Sequence, residues 1–240
     1  MSDLPLPSAS RSAARPVSLE SRTDVGDIAV RLFHERGYDA TSATEIARAA
    51  GLSRSTFFRQ FHSKDDVIFA DHEELLAQIS VFFEATHPDP WTAVCDAAIM
   101  VFERFHDRLD IVRLRDLVLR DNENLRDRET VMVSRYEKTF AAYLRRVEPE
   151  HGALPAIRYA AAITATHNYE LRRLIRSETP FDPRVLAAEL ADIRRLLGPI
   201  DPGQTRSSGT TGSDLVVAVF PATTSPAQIA RAIENTLRNR

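Results

Sequence analysis

The side chains with the clearest chemical potential lie in one short segment, residues 53–61, with the sequence SRSTFFRQF. Phe57 and Phe61 are four residues apart, so in a helix they share one apolar face. The opposite face would carry Arg54, Ser55, Phe58 and Arg59. Arginine binds phosphates and the acceptor atoms of guanine, and serine donates to phosphates. A short helix of this kind suits the major groove of DNA.

Capping residues on both sides predict the elements that position this segment. Ser42 is placed to cap a helix, and Glu45 three residues later completes a capping box. Gly51 follows that helix at once and supplies the backbone freedom that a sharp turn needs. Ser53 is expected to cap the second helix, over residues 54–61. The pattern therefore predicts two short helices joined by a tight turn.

This stretch resembles the DNA-binding motif of the TetR family of transcriptional regulators, over residues 19–70. Upstream, the segment IAVRLFHERGYDAT at 28–41 is similar to the family's first helix and its exit. Downstream, the segment FHSKDDV at 61–67 resembles the opening of the fourth helix. The resemblance implies a homodimer that binds double-stranded DNA at a palindromic operator, with repression as the expected role. It also implies that a small, largely apolar effector binds in the body and shifts the helix that starts at Lys64.

The candidate DNA contacts follow from the exposed face and from this resemblance. Arg54 and Arg59 are expected at bases or phosphates, and Lys64 at a phosphate. Many family members have tyrosine where this chain has Phe58, and phenylalanine cannot donate to a phosphate. Phe58 is left either to contact a thymine methyl group or to pack. The complete set of candidates is Ser42, Arg54, Ser55, Thr56, Phe58, Arg59 and Lys64.

The remaining apolar pattern up to residue 198 is helical, which predicts an all-α fold with a small head on a larger body. Ser63 and Asp66 form a second capping box, expected to open a long helix that ends before Pro88. Asp89-Pro90 and Asp182-Pro183 are further helix starts. Other helices are expected at 111–119, 125–147 and 156–177.

The domain organisation follows from shifts in composition. The expected parts are a flexible arm (1–18), the helix-turn-helix domain (19–63), a ligand-binding and dimerisation domain (64–198), a linker (199–213) and a strand–helix extension (214–240). The arm either has no function or carries Arg11 and Arg15 to the DNA. The extension either packs for stability or clasps a second subunit. Dimerisation itself is expected through the alanine-rich helices 156–177 and 183–197.

The helical body contains residues that could line an apolar ligand site. Each one alone is more often a core residue than a ligand contact. His167 and Asn168 stand out, because they interrupt an otherwise apolar helix and need polar partners if buried. Those partners would be a ligand or the second subunit. The candidate ligand-binding residues are Trp91, Cys95, Phe102, Tyr136, Phe140, Tyr143, His167 and Asn168.

Composition restricts the remaining classes of function. With 43% hydrophobic residues, one cysteine and a formal net charge of −3, the chain of 240 residues reads as a cytoplasmic globular protein. No membrane span, cofactor, metal site or catalytic set is expected. His62 with Asp66 is assigned to capping or surface roles, and residues 71–74, DHEE, to a solvated helix face. The alternatives are a helical small-molecule-binding enzyme and a ligand-independent activator or architectural DNA-binding protein.

Overall fold

The computed structural model describes residues 19–177 and 182–199, and it contains no strand within them. The predicted all-α fold, with a helix-turn-helix head on a helical body, is confirmed. The arm, the strand–helix extension and, apart from Pro199, the linker lie outside the described residues. The described helices are α1 (Leu19–Arg36), α2 (Ala43–Ala49), α3 (Arg54–Gln60), α4 (Lys64–Val67), α5 (Ala70–Phe82), α6 (Pro90–His106), α7 (Leu109–Arg120), α8 (Glu123–Val147), α9 (Ala153–Arg176) and α10 (Pro183–Leu197).

Local capping sets the boundaries of the head helices as predicted. The Glu45 backbone N–H donates to Ser42 Oγ at 3.2 Å, while the Ser42 N–H donates to the Glu45 carboxylate at 2.8 Å. This reciprocal pair starts α2. Gly51 adopts a φ of +66°, which favours glycine and turns the chain into α3. The N–H of Thr56 donates to Ser53 Oγ at 3.1 Å and caps α3.

The apolar core of the head includes residues from the body. Phe33, Ile46 and Phe57 are buried in it, one from each of the first three helices. Two body helices contribute to the same cluster, namely α7 and α8. Their residues in it are Ile111, Val118, Leu119, Leu125 and Met132. The head therefore packs on α7 and α8 through a continuous apolar contact, and a shift of α7 would disturb the support of α1.

The single long helix predicted from Lys64 to a point before Pro88 is instead two helices, α4 and α5. It is interrupted at Ile68 and Phe69, where Phe69 has φ −110° and ψ 17°, and it ends at Phe82. Residues 67–70 are all buried. Four consecutive buried side chains point around the full circumference of a regular helix, so an unbroken helix would expose part of them. The interruption lets all four pack inward.

The body follows the predicted starts, with small shifts at the ends. Asp89 caps α6 by accepting from the Trp91 N–H at 3.0 Å, and Asp182 caps α10 by accepting from Arg184 at 2.9 Å. Helices α7, α8 and α9 each begin two or three residues earlier than the apolar pattern indicates. Asn122, which the sequence analysis did not single out, caps α8. Among the described helices, none combines the length and apolarity needed to cross a bilayer.

Candidate functional site

Helix α3 presents a charged and polar face outward because its other face is fixed in the head. Phe57 has no exposed surface and Phe61 is 1% exposed, with their ring centroids 5.2 Å apart. These two rings hold the helix at one orientation. The side chains of Arg54, Ser55, Phe58 and Arg59 are exposed on the other face. The structure thus separates the apolar and cationic faces as the spacing predicts.

The two arginines of α3 are free of acidic partners within the described residues. Neither Arg54 nor Arg59 forms an ion pair or a side-chain hydrogen bond there. The Arg54 guanidinium carbon lies 5.6 Å from the centroid of the Phe58 ring. This contact orients Arg54 without neutralising it. Two unpaired guanidinium groups on one exposed helix are available to bind an anion such as phosphate.

The remaining predicted DNA contacts are engaged in different ways. Ser42 is exposed beside α2, and its hydroxyl bonds to Glu45. The Thr56 hydroxyl lies 2.8 Å from the hydroxyl of Ser53, and the Ser55 hydroxyl lies 3.0 Å from it. These three hydroxyl groups form a small polar cluster at the start of α3. Each can exchange an internal hydrogen bond for one to a phosphate.

Lys64 is turned into the head, which the sequence analysis did not anticipate. Its ammonium donates to the carbonyl of Tyr38 at 2.8 Å and to that of Thr41 at 3.4 Å. It also lies 3.9 Å from the centroid of the Tyr38 ring. Lys64 therefore connects the loop between α1 and α2 to the start of α4. Because its ammonium is engaged by these two carbonyls, Lys64 is not proposed as a DNA contact.

A cavity in the body lies between α5, α6, α7, α8 and α9. The centres of water molecules could occupy about 90 Å³ of it. Much of its wall is aliphatic or aromatic, formed in part by Val101, Phe105, Val112, Val133, Leu171 and Ile175. Cavities of this kind, with a few polar groups in an apolar wall, are the usual form of small-molecule sites.

The structure brings four of the eight predicted ligand-binding residues to this cavity. They are Tyr136, Phe140, His167 and Asn168. The other four do not line it. Cys95 and Trp91 pack against Tyr159 in another part of the core, with the Cys95 sulfur 2.9 Å from its hydroxyl. Tyr143 stacks on Phe83 at 4.0 Å, and Phe102 packs edge-on against the His167 ring.

Sequence reasoning missed several polar residues of the cavity wall, which are His72, Arg115, Glu129 and Thr164. The prediction of a solvated face at residues 71–74 is wrong for Asp71 and His72, which are both buried. One signal for them was present. Arg115 lies between Ile111 and Val118 at helical spacing, so it occupies a position of the apolar stripe. A charged residue on such a stripe requires a buried partner.

That partner is Asp71, and the pair belongs to a larger ionic cluster. One guanidinium nitrogen of Arg115 lies 2.7 Å from both carboxylate oxygens of Asp71. Arg108 approaches Asp71 at 3.8 Å and forms an ion pair with Asp27 of α1. Burial acts to raise the pKa of Asp71, but Arg115 and Arg108 outweigh it and hold that pKa below its usual value. The cluster joins α1, α5 and α7.

Two buried histidines at the cavity are kept uncharged. Burial, reinforced by the positive charge of Arg115, lowers the pKa of His72 to about 4. Burial likewise lowers the pKa of His167 to about 4. His72 Nδ1 lies 3.2 Å from the Tyr136 hydroxyl. Near neutral pH both imidazoles are therefore neutral, and each ring has one donor and one acceptor nitrogen.

Comparison with known proteins locates the head within one family. The family model "Bacterial regulatory proteins, tetR family" matches residues 27–70. The HTH-type transcriptional regulator AcrR of Shigella flexneri is 33% identical over 88 residues, which cover 35% of this chain and 41% of AcrR. The chain therefore spans less than half the length of this relative. EthR of Mycolicibacterium smegmatis is 23% identical over 192 residues, covering 76% of this chain and 88% of EthR.

The fold of the body is also shared with solved structures. The fatty acid degradation regulator FadR from Bacillus halodurans matches with a TM-score of 0.53 at 18% identity, covering 78% of this chain and 96% of FadR. A likeness at this identity establishes the fold alone. Both curated relatives are named as HTH-type transcriptional regulators. With its capped helix-turn-helix head on an all-α body, the chain is similar to the TetR family of bacterial regulatory proteins, whose model matches the head over residues 27–70.

Proposed function

We propose that this protein is a homodimeric transcriptional repressor that leaves a palindromic operator when a small, largely apolar ligand binds its body. The observation that carries the proposal is the outward face of α3, where Arg54 and Arg59 have no acidic partner among the described residues. An exposed pair of free guanidinium groups on a rigidly held helix suits binding to an anionic groove.

Each side chain of the face has a role in the proposed complex. Arg54 and Arg59 contact guanine edges or phosphates, since both bind bidentately. Phe58, 42% exposed, contacts a thymine methyl group. Ser55 and Thr56 position α3 on the backbone, and Ser42 does the same for α2. These contacts give an affinity that falls steeply with salt concentration.

Dimerisation is proposed through α9 and α10, which carry apolar side chains on their exposed faces. Leu154, Ile157 and Tyr169 of α9 are 54%, 42% and 63% exposed. Val185 and Leu196 of α10 are also exposed. Ala161 lies on the same stripe as Ile157, four residues away. Such a surface on two adjacent helices favours burial against its own copy.

The route from ligand to DNA is proposed to pass through α7. Leu119 lines the cavity and also belongs to the apolar cluster of the head. Arg115, on the same helix, lines the cavity and binds the Asp71 cluster that reaches α1. A ligand that displaces α7 would therefore change the support of the head. A coupling free energy of about 1–3 kcal/mol would alter operator affinity by roughly 5–150-fold.

The direct test of DNA recognition is Arg59→Ala. We expect each half-site to lose about 1–3 kcal/mol of binding free energy, because a bidentate contact is removed. The operator should first be selected from a pool of random duplexes by the parent protein. Affinity is then measured by gel shift at one fixed salt concentration. Arg145→Ala, which removes an exposed arginine from α8, is the control. Equal weakening by both changes would refute the assignment of α3.

The proposed dimer is tested by Ala161→Glu. A carboxylate on the apolar stripe of α9 would be buried without a partner in the dimer, so the mass in solution should fall to that of one subunit. Light scattering measures it. Ala142→Glu on α8, where the alanine is exposed, is the matched control and should leave the dimer intact. If Ala161→Glu keeps the parent's mass, the interface lies elsewhere.

A further inference from the structure

The cavity wall contains two buried polar atoms that lack a hydrogen-bond partner within the described residues. They are Oγ1 of Thr164 and Nε2 of His167. Thr164 is 6% exposed and His167 is 8% exposed, and both residues line the cavity. They are three positions apart on α9 and so share one face of the helix. Buried polar atoms are normally paired, and an unpaired one disfavours folding.

The hydrogen-bonding role of each atom can be assigned. His167 Nδ1 lies 3.3 Å from the side-chain oxygen of Asn168, so Nδ1 carries the ring proton in this geometry. The ring is neutral because burial lowers its pKa. Nε2 is therefore a hydrogen-bond acceptor, and no described residue donates to it. The Thr164 hydroxyl can donate or accept. One ligand hydroxyl group could satisfy both atoms, by donating to Nε2 and accepting from Oγ1.

The charged groups around the cavity do not select an ion of either sign. Arg115 is bound to Asp71, and Asp116 forms an ion pair with Arg120. Glu129 makes no ion pair within the described residues, and burial raises the pKa of its carboxyl group. Arg115 and Arg172 act in the opposite sense on that pKa. A cation at Glu129 would meet the positive potential of both arginines. Arg172 lines the cavity without an ion pair among the described residues, but it is exposed to solvent, so the buried part of the wall offers an anion no unpaired cation there.

The size of the cavity limits the part of the ligand that it can hold. Water centres could occupy about 90 Å³. One water needs roughly 10–15 Å³ on this measure, so the space fits about six to nine non-hydrogen atoms. The aliphatic and aromatic wall suits a carbon framework for most of them.

We propose that the effector of this site is an uncharged molecule with one hydroxyl group on a compact apolar body. The ligand hydroxyl donates to Nε2 of His167 and accepts from Oγ1 of Thr164. The apolar body of the ligand fills the cavity and packs against the wall formed by α6, α7 and α8. The inference rests on the proposed function only in taking the cavity as the effector site. Its test therefore measures binding without DNA.

The experiment uses the full chain and four probes built on one ring. Benzyl alcohol supplies the hydroxyl, ethylbenzene is its hydrocarbon counterpart, benzoate is an anion and benzylammonium is a cation. Calorimetry gives the affinity of each probe for the parent and for Thr164→Val. Benzyl alcohol and ethylbenzene differ in the cost of leaving water, but that difference is the same for the parent and the variant. It therefore cancels when the ratio of the two affinities is compared between the two proteins. We expect this ratio to fall by roughly 5–10-fold in Thr164→Val, because one hydrogen bond to the ligand is lost.

Two further variants separate a ligand contact from a structural role. Thr166→Val changes a half-buried threonine of the same helix that does not line the cavity, and it should leave the ratio unchanged. His167→Phe should lower the ratio as Thr164→Val does. Both cavity variants should unfold at or above the parent's temperature without ligand, because each removes an unpaired buried polar atom. Loss of binding then cannot be attributed to unfolding.

Several results would overturn the proposal. They are an unchanged affinity ratio in Thr164→Val, no binding of benzyl alcohol to the parent at its solubility limit, or tighter binding of benzoate or benzylammonium than of benzyl alcohol. Each is distinct from a failure of the proposed function. If the parent protein selects an operator but shows no preference for the hydroxyl probe, only the proposed effector chemistry is refuted. If it shows that preference but protects no DNA, only the proposed repressor function is refuted.

Discussion

Replacing Asp71 by asparagine is expected to lower the free energy of unfolding by about 3–5 kcal/mol. Asp71 is buried, and its two oxygens both lie 2.7 Å from the same nitrogen of buried Arg115. The amide keeps the size of the carboxylate but not its charge. Among the described residues, Arg115 would then be a buried cation without an ion-pair partner, and Arg108 would keep its ion pair with Asp27 but lose the one with Asp71. Neither arginine can give up its proton at neutral pH.

The measurement is urea unfolding at neutral pH, and the chain offers a matched control. Asp110→Asn breaks the ion pair with Arg31, which has a similar distance of 3.0 Å but leaves the two side chains 66% and 52% exposed. Exposed pairs contribute about 0–1 kcal/mol, so this variant should stay close to the parent. Arg115→Met added to Asp71→Asn should recover part of the loss, because it removes the unpaired charge. Equal losses at Asp71 and Asp110 would contradict the assignment of a buried ionic cluster.

The same variant bears on the proposed coupling. Asp71 connects α5 to Arg115 of α7, and Arg108 connects that pair to Asp27 of α1. Removing this one charge therefore weakens contacts among three helices. Two of them, α5 and α7, line the cavity, and the third, α1, belongs to the head. A buried ion pair is weak evidence of stability by itself, but it restricts the packing to one geometry. In this chain that geometry fixes α1 relative to the cavity wall.

Features that depend on near neighbours in sequence were predicted well. The capping boxes of Ser42 with Glu45 and of Ser63 with Asp66 are both present, and so is the Asp89 cap of α6. Each involves residues two or three positions apart, so the side chain and the backbone group that it satisfies appear together in the printed sequence. The orientation of α3 follows the same logic, since its two buried phenylalanines are one helical turn apart.

Features that depend on distant partners could not be predicted. The interruption at Phe69 and the burial of Asp71 arise from packing against α7 and α8, and Arg115 lies 44 positions after Asp71. The cavity shows the same limit. An apolar stripe identifies Tyr136 and Cys95 alike as inward-facing. Whether Tyr136 or Cys95 lines the cavity depends on how five helices pack together. That packing cannot be read from a single sequence.

Two adjacent phenylalanines of α3 have opposite environments. Phe57 has no exposed surface, whereas Phe58 is 42% exposed, and both belong to α3. Phe57→Ala should lower the free energy of unfolding by about 3–5 kcal/mol, because it empties the centre of the head core. Phe58→Ala removes a ring of the same size from the surface and should change stability by less than about 1 kcal/mol. Urea unfolding distinguishes them.

Measuring DNA binding by both variants distinguishes a residue that contacts DNA from one that only stabilises the head. With the selected operator, Phe58→Ala should weaken binding while the head stays folded, since its ring lies on the face that carries Arg54 and Arg59. Phe57→Ala should weaken binding only to the extent that the head is unfolded, so added osmolyte should restore it. If Phe58→Ala binds DNA as tightly as the parent, Phe58 is not a contact and its exposure has no role in recognition. If Phe57→Ala is as stable as the parent, α3 is not held by its apolar back, and its outward face loses the rigid support on which groove reading depends.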